Sequence, residues 1–274
     1  MEKLNELVMP EVCKSKTFLN KIAVITGGAS GIGEACVRLL AERGALVIVC
    51  DRNAEAGESV AKEHGGLAVT LDVANPEAIA AVAEKIETEI GPVDLLVTSA
   101  GIIQSYPAPP EELGIEEWDA ITDINLRGTY LCCSNFARGM CKRRRGAIVT
   151  IASVMGMRSG PFHAYGPAKA GVIHLTQTLA AEWGRSGVRV NSISPGYVMP
   201  PVLARAIEDG MRDVSVMEDS SALGRMVRPE EVAEASCFLL SDAASAVTGI
   251  NLPVDNGWLS GINWHTYGGV RARR

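Results

Sequence analysis

The stretch "KIAVITGGASGIG", Lys21 to Gly33, decides how the rest of the chain is read. Its first half is short, apolar and rich in β-branched residues, the signature of a strand buried on both faces. Its second half, "TGGASGIG" (26–33), is a glycine-rich turn that runs into a helical window ending near Arg43. Gly27, Gly31 and Gly33 permit a tight turn and a close helix, and with Ser30 and Ile32 they bring main-chain amides to a helix start, where a pyrophosphate is favoured. A glycine turn alone is weak evidence of nucleotide binding. Flanked by a strand and a helix, it predicts a dinucleotide site.

Outward from that turn the same alternation repeats. Strand candidates are "ALVIVCD" (45–51), "LAVTLDV" (67–73), "VDLLVTSAG" (93–101), "GAIVTIAS" (146–153), "VRVNSISPG" (188–196) and "INLPVD" (250–255). Helical windows lie between them at 54–63, 76–90, 116–143, 164–183 and 229–241, two of them opening on Pro76 and Pro229 as suits a first helical turn. Strand and helix in strict alternation predict an α/β fold: a doubly wound parallel sheet of about seven strands with helices on both faces, Rossmann-like, in a single domain. That domain is expected over 21–257, with an N-terminal extension (1–20), a substrate lid at about 197–221, and a C-terminal tail (258–274) that either closes a neighbour's active site or lies exposed.

Composition narrows the function classes. Hydrophobic residues make up 47% and charged residues 21%, an ordinary globular mixture. A formal charge of −6 argues against a nucleic-acid partner, and the basic run "CKRRRG" (141–146) falls where a helix end would welcome cations. Seven scattered cysteines without metal-type spacing read as reduced thiols of a cytoplasmic protein. No run of apolar residues is long enough for a signal peptide or a membrane span, and no metal ligands are read from the four histidines.

In a doubly wound sheet ligands bind at the carboxyl ends of the strands, so the residues there matter most. The second strand ends in Asp51, whose carboxylate can accept both hydroxyls of an adenosine ribose and would repel the extra phosphate of NADP. NAD is therefore the expected cofactor and NADP the less favoured one, with Arg52 placed either to stack on adenine or to tolerate the phosphorylated form. Asp72 and Val73 are expected against the adenine edge, and Ser99, Ala100 and Gly101 leave room for a ribose. The fifth strand ends in Ser153, and "HAYGPAKAG" (163–171) follows at a helix start. Taken alone, Tyr165 and Lys169 are an i,i+4 pair on a helix face, and Asn125 is a polar residue inside a helix.

Together these marks resemble the short-chain dehydrogenase/reductase family over nearly all of Lys21 to Gly257: TGGASGIG, Asp51, the N-x-x-G of Asn125 to Gly128, Ser153, the Y-x-x-x-K of Tyr165 and Lys169, and Pro195-Gly196. The resemblance implies transfer of a hydride between a secondary alcohol and a nicotinamide cofactor, commonly in a homotetramer. Asn125, Ser153, Tyr165 and Lys169 would be the catalytic set. A free tyrosine, with a pKa of about 10, is a poor base at neutral pH. A cation about 4 Å away at an effective dielectric of about 20 is worth about 4 kcal/mol, so Lys169 is expected to draw the Tyr165 phenol down. Tyr165 and Lys169 would also hold the nicotinamide ribose, Ser153 the substrate oxygen, and Asn125 a water leading the proton away.

Three departures stand out. Thr98 and Ser99 replace the family's paired asparagines, and their hydroxyls are expected to keep the hydrogen bonding in reduced form. Pro200 stands where a threonine often meets the carboxamide, a contact left to the main chain at Val198. The loop from Ser153 to Tyr165 is short and carries His163. His163, Tyr197, Met199 and the loop "IIQSYPAPP" (102–110) are read as substrate-facing, for a small polyol, sugar or cyclic alcohol. The alternatives are an NADPH-dependent 3-oxoacyl carrier-protein reductase, which Asp51 opposes, and a non-catalytic dinucleotide-binding member of the same fold.

Overall fold

The computed structural model describes residues 16–105, 109–198 and 214–271. Seven strands form one parallel sheet in the order β3-β2-β1-β4-β5-β6-β7. They are β1 (Ile22–Thr26), β2 (Leu46–Asp51), β3 (Leu67–Thr70), β4 (Val93–Thr98), β5 (Gly146–Ile151), β6 (Val188–Pro195) and β7 (Asn251–Val254). The order reverses between β1 and β4, which opens a crevice at their carboxyl ends.

Buried apolar side chains alternate along each strand between two cores. Ile25, Val49, Val97 and Val149 face α1 (Gly31–Glu42), α2 (Ala54–Glu63) and α8 (Pro229–Leu240). Val24, Ile48, Leu96 and Ile148 face α3 (Pro76–Lys85), α5 (Thr129–Arg143) and α6 (Tyr165–Trp183). Both faces are thus covered, the condition under which all-parallel sheets occur. Helix starts follow from local chemistry: Asn53 and Asn75 accept from the amides of Ala56 and Ala78, and Pro76 and Pro229 occupy the first turn.

The window 116–143 is continuous but not uniform. Helix α4 (Ile115–Thr122) passes through a π-helical turn, Asp123–Gly128, into α5. Gly128 lies so close to the sheet that a Cβ there would stand 2.7 Å from the Val73 carbonyl oxygen. The basic run closes α5 as expected: Arg144 takes a left-handed conformation, Arg143 pairs with Glu87 at 2.6 Å, and Arg145 with Asp94 at 3.2 Å.

One expectation changes here. Asp72 and Val73 are not a strand end: β3 stops at Thr70, and the Asp72 carboxylate accepts from the Ala74 amide in the turn that follows. In the tail a short helix α9 (Trp258–Gly261) is capped by Asp255 and Trp258 is buried, while Trp264 and Tyr267 are exposed. Of the lid, Met199 and Pro200 lie outside the described residues, and a short helix α7 (Ser215–Asp219) precedes α8. Among the described residues no helix is long and apolar enough to cross a membrane.

Candidate active site

A cleft of about 570 Å³ runs across the switch point. Of the residues expected to be catalytic or to hold the cofactor, all but Gly33 and Asn125 line it; of those expected to face the substrate, Ser153, Tyr165, Ile102 and Ile103 do, while His163, Tyr197, Gln104 and Ser105 do not.

At one end stands the glycine turn. Gly27 (φ +65°) and Gly31 (φ +55°) hold left-handed conformations, and a Cβ on Gly27 would lie 2.6 Å from Ala100. Gly33 lies underneath, where a side chain would overlap the Gly27 carbonyl. Ser30 precedes α1 without capping it through its side chain, so first-turn amides are left for an anion, and nothing stands within 4 Å of a Cβ at Gly31. Asp51 is held in place by the amides of Ala29 (3.1 Å) and Asn53 (3.0 Å), one on each oxygen. Each oxygen keeps a lone pair for a ribose hydroxyl. Uncapped amides, a cradle that a Cβ would fill and a fixed carboxylate suit a nicotinamide dinucleotide.

Ser153, Tyr165 and Lys169 meet at the other end. The Ser153 hydroxyl accepts from the Met155 amide at 3.1 Å and stands near enough to the Tyr165 phenol for hydrogen bonding to lower its pKa. Lys169, fully enclosed, donates from Nζ to the Ile151 carbonyl at 2.8 Å and lies 5.6 Å from the centre of the Tyr165 ring. Burial lowers the Lys169 pKa to about 8.

The expected depression of Tyr165 is absent: burial pushes its pKa up, and the Ser153 hydrogen bond offsets only part of that. The physical reason is desolvation, which penalises the tyrosinate in a pocket whose one close cation is itself dehydrated. Asn125 is engaged through its side chain. Its Oδ1 accepts from the Ile102 amide (2.9 Å) and its Nδ2 donates to the Ile102 carbonyl (2.7 Å), so its side chain holds a peptide group. Gly101 sits between Asn125 and Lys169, a Cβ there being 2.7 Å from Asn125 Oδ1 and 3.6 Å from Lys169 Nζ.

The other residues separate. His163 borders a second hollow of about 460 Å³ with Met155, Arg158 and Phe162. Tyr197 packs edge-on against Trp258, ring centres 5.9 Å apart. Val198 does reach the cleft and is bridged to Val227. The Thr98 hydroxyl does not keep the hydrogen bonding expected of it: Oγ1 is buried and has no partner among the described residues. Its strand neighbours explain why, since Thr26 Oγ1 is engaged by Ala100 and Thr150 Oγ1 by Thr176. Ile102 and Ile103 of the loop read as substrate-facing line the cleft, whereas Leu71 and Ile124 had no signal in the sequence beyond ordinary core hydrophobicity.

A family model described as enoyl-(acyl carrier protein) reductase matches residues 27–259, which contain every element of this cleft. The chain belongs to the short-chain dehydrogenase/reductase family. Members of that family similar to it include a cis-4-hydroxycyclohexanecarboxylate dehydrogenase of Sinomonas cyclohexanicum, 41% identical over 89% of this chain and 98% of the relative. A D-threitol dehydrogenase of Mycolicibacterium smegmatis is 39% identical over 87% of this chain and 92% of the relative. A solved structure named ribose-5-phosphate isomerase, from Brucella melitensis 16M, superposes with a TM-score of 0.90 and 52% identity, covering 94% of this chain and 100% of that one. The chain is thus an oxidoreductase of the short-chain dehydrogenase/reductase type.

Proposed function

We propose that this enzyme oxidises a secondary alcohol of a polyol, sugar or cyclic alcohol with NAD, using Tyr165 as general base. One observation carries the reading: Ser153, Tyr165 and Lys169 line the same cleft whose far end holds Asp51 and the glycine turn. The threitol and hydroxycyclohexanecarboxylate dehydrogenases support the substrate class.

Bound NAD supplies the hydride acceptor and a positive charge beside the phenol. Ser153 and Tyr165 hold the alcohol oxygen, and Tyr165 takes its proton as the carbinol C–H bond breaks. Lys169, charged below pH about 8, stabilises the tyrosinate. Asn125 fixes the Ile102 peptide and keeps Gly101 against Lys169. The preference for NAD rests on Asp51, which meets a 2′-phosphate with a like charge.

An oxidation screen over polyols and cyclic alcohols, run beside thermal melts with NAD and with NADP, tests both parts. Turnover of such an alcohol with the larger stabilisation from NAD is expected. Larger stabilisation by NADP at equal concentration overturns the cofactor assignment, and no turnover across the screen overturns the substrate class.

A homotetramer in the cytoplasm completes the proposal. It is supported by exposed Phe238 and Ile250 along the β7 side, and by the six free cysteines described, five of them buried. Light scattering on the purified chain measures the assembly.

The 52% identity to the structure named ribose-5-phosphate isomerase favours one second reading, isomerisation of a pentose phosphate. Proton transfer between adjacent carbons consumes no NAD, so turnover of ribose 5-phosphate with all dinucleotide removed would establish it. Against it, the cations lining the cleft among the described residues are Arg52, at the adenine end, and Lys169, already bonded to Ile151.

A further inference from the structure

Gln104 is 2% exposed, although its neighbours Ile103 and Ser105 are open to solvent. Its Oε1 accepts from the amide of Ala164 at 3.2 Å, across 60 positions of sequence. Ala164 is fully buried, stands directly before Tyr165, and is the cap position of α6. An alanine brings no polar side chain there, and the first amides of a helix need partners from outside it. Gln104 supplies one. Two residues upstream, Ile102 is held by Asn125 through both its amide and its carbonyl. The segment from Gly101 to Gln104 is therefore pinned to Asn125 at one point and to the start of α6 at another. A Cβ on its first residue would stand 3.6 Å from Lys169 Nζ.

We propose that Gln104 is a positioning residue: as the remote cap of α6 it sets Tyr165 against Ser153 and so fixes the geometry of proton transfer. The proposal rests on the reading of Tyr165 as the base. Tyr165 is faced by Ser153 from beyond β5, by Lys169 from its own helix and by the Phe162 ring edge-on, and it packs on the apolar cluster of Ile121, Ala164 and Ala168. Glu117 of α4 bonds the Ser105 amide at 2.7 Å, one residue beyond Gln104. The Lys169–Ile151 and Glu117–Ser105 bonds do not involve the Gln104 side chain.

The substitution Gln104→Leu removes the acceptor and keeps the bulk. Two readouts are taken, steady-state kinetics and the tyrosinate absorbance titration of Tyr165, the latter with Tyr165→Phe as the blank. Expected are a drop of about tenfold in kcat with KM changed by less than about twofold, because only the transition state feels a displaced base. The phenol midpoint should rise as the Ser153 hydrogen bond slackens. An unchanged kcat and midpoint overturn the proposal, and so does a raised KM with kcat intact, which would make Gln104 a substrate contact. If the leucine variant does not fold, Gln104→Met is read in the same way. The titration needs no substrate, so a chain that oxidises no alcohol fails the proposed function while Gln104 is still judged by its midpoint.

Discussion

At the dinucleotide end of the cleft the working groups are main-chain amides and one carboxylate, all supplied by β1, the turn, α1 and the end of β2. At the catalytic end Ser153 comes from beyond β5, Tyr165 and Lys169 from α6, and their supports from Ile151, Asn125 and Gln104. The first end is a local device that binds, and its demands are steric. The second is assembled from distant segments and buries ionisable groups, so its demands are electrostatic. A site of the first kind fails when a Cβ is added, one of the second kind when a charge or a hydrogen bond is moved.

The largest expected effect breaks the catalytic end alone. Tyr165→Phe should lower kcat by about 10²–10⁴-fold, the range for loss of a positioned general base, while stabilisation by NAD in thermal melts persists. If both vanish together, the two ends are not separable. The converse variant is Gly27→Ala, which places a Cβ 2.6 Å from Ala100 at a φ of +65°. It should cost on the order of 1–3 kcal/mol of stability and abolish the NAD-dependent shift in melting temperature.

Lys169 sharpens the electrostatic side. Its pKa falls from 10.5 to about 8 on burial, so between those values the unfolded chain binds more protons than the folded one. The burial penalty is then fully present below pH about 8 and is relieved as pH rises toward 10.5, a difference on the order of 3 kcal/mol. Lys169→Met should therefore stabilise the protein at pH 7, with the gain shrinking in denaturant titrations toward pH 10.5, and yet leave it nearly inactive. A destabilised methionine variant at pH 7 would show that the Ile151 hydrogen bond outweighs the desolvation.

The smallest effect lies on the boundary between the ends. Thr98→Val replaces a buried hydroxyl that has no partner with an isosteric methyl. A gain of about 1 kcal/mol is expected, roughly 2–4 °C in melting temperature, with kcat unchanged. A loss of stability would mean that the hydroxyl holds a water.

Much of the fold was legible because its signals are periodic and local. Continuous apolar runs marked β1, β2, β4, β5 and β6, while Pro76 and Pro229 marked helix starts. β3 was read too long, because Leu71 and Val73 are apolar for the sake of the core behind the turn and not for a strand. The π-helical turn at Asp123–Gly128 was invisible as a break, since no residue in "DINLRG" forbids a helix.

The amino-acid sequence by itself determined the doubly wound sheet, the glycine turn and the identity of the Ser153, Tyr165 and Lys169 cluster, because hydrophobic period, glycine conformation and side-chain chemistry are properties of single residues and their near neighbours. Only the tertiary structure decided that Tyr165 rests with a raised pKa, that Asn125 grips Ile102, that Tyr197 turns to Trp258, and that Gln104 caps the catalytic helix. Each of these depends on burial or on a partner many positions away, and neither burial nor a distant partner is written in the residue itself.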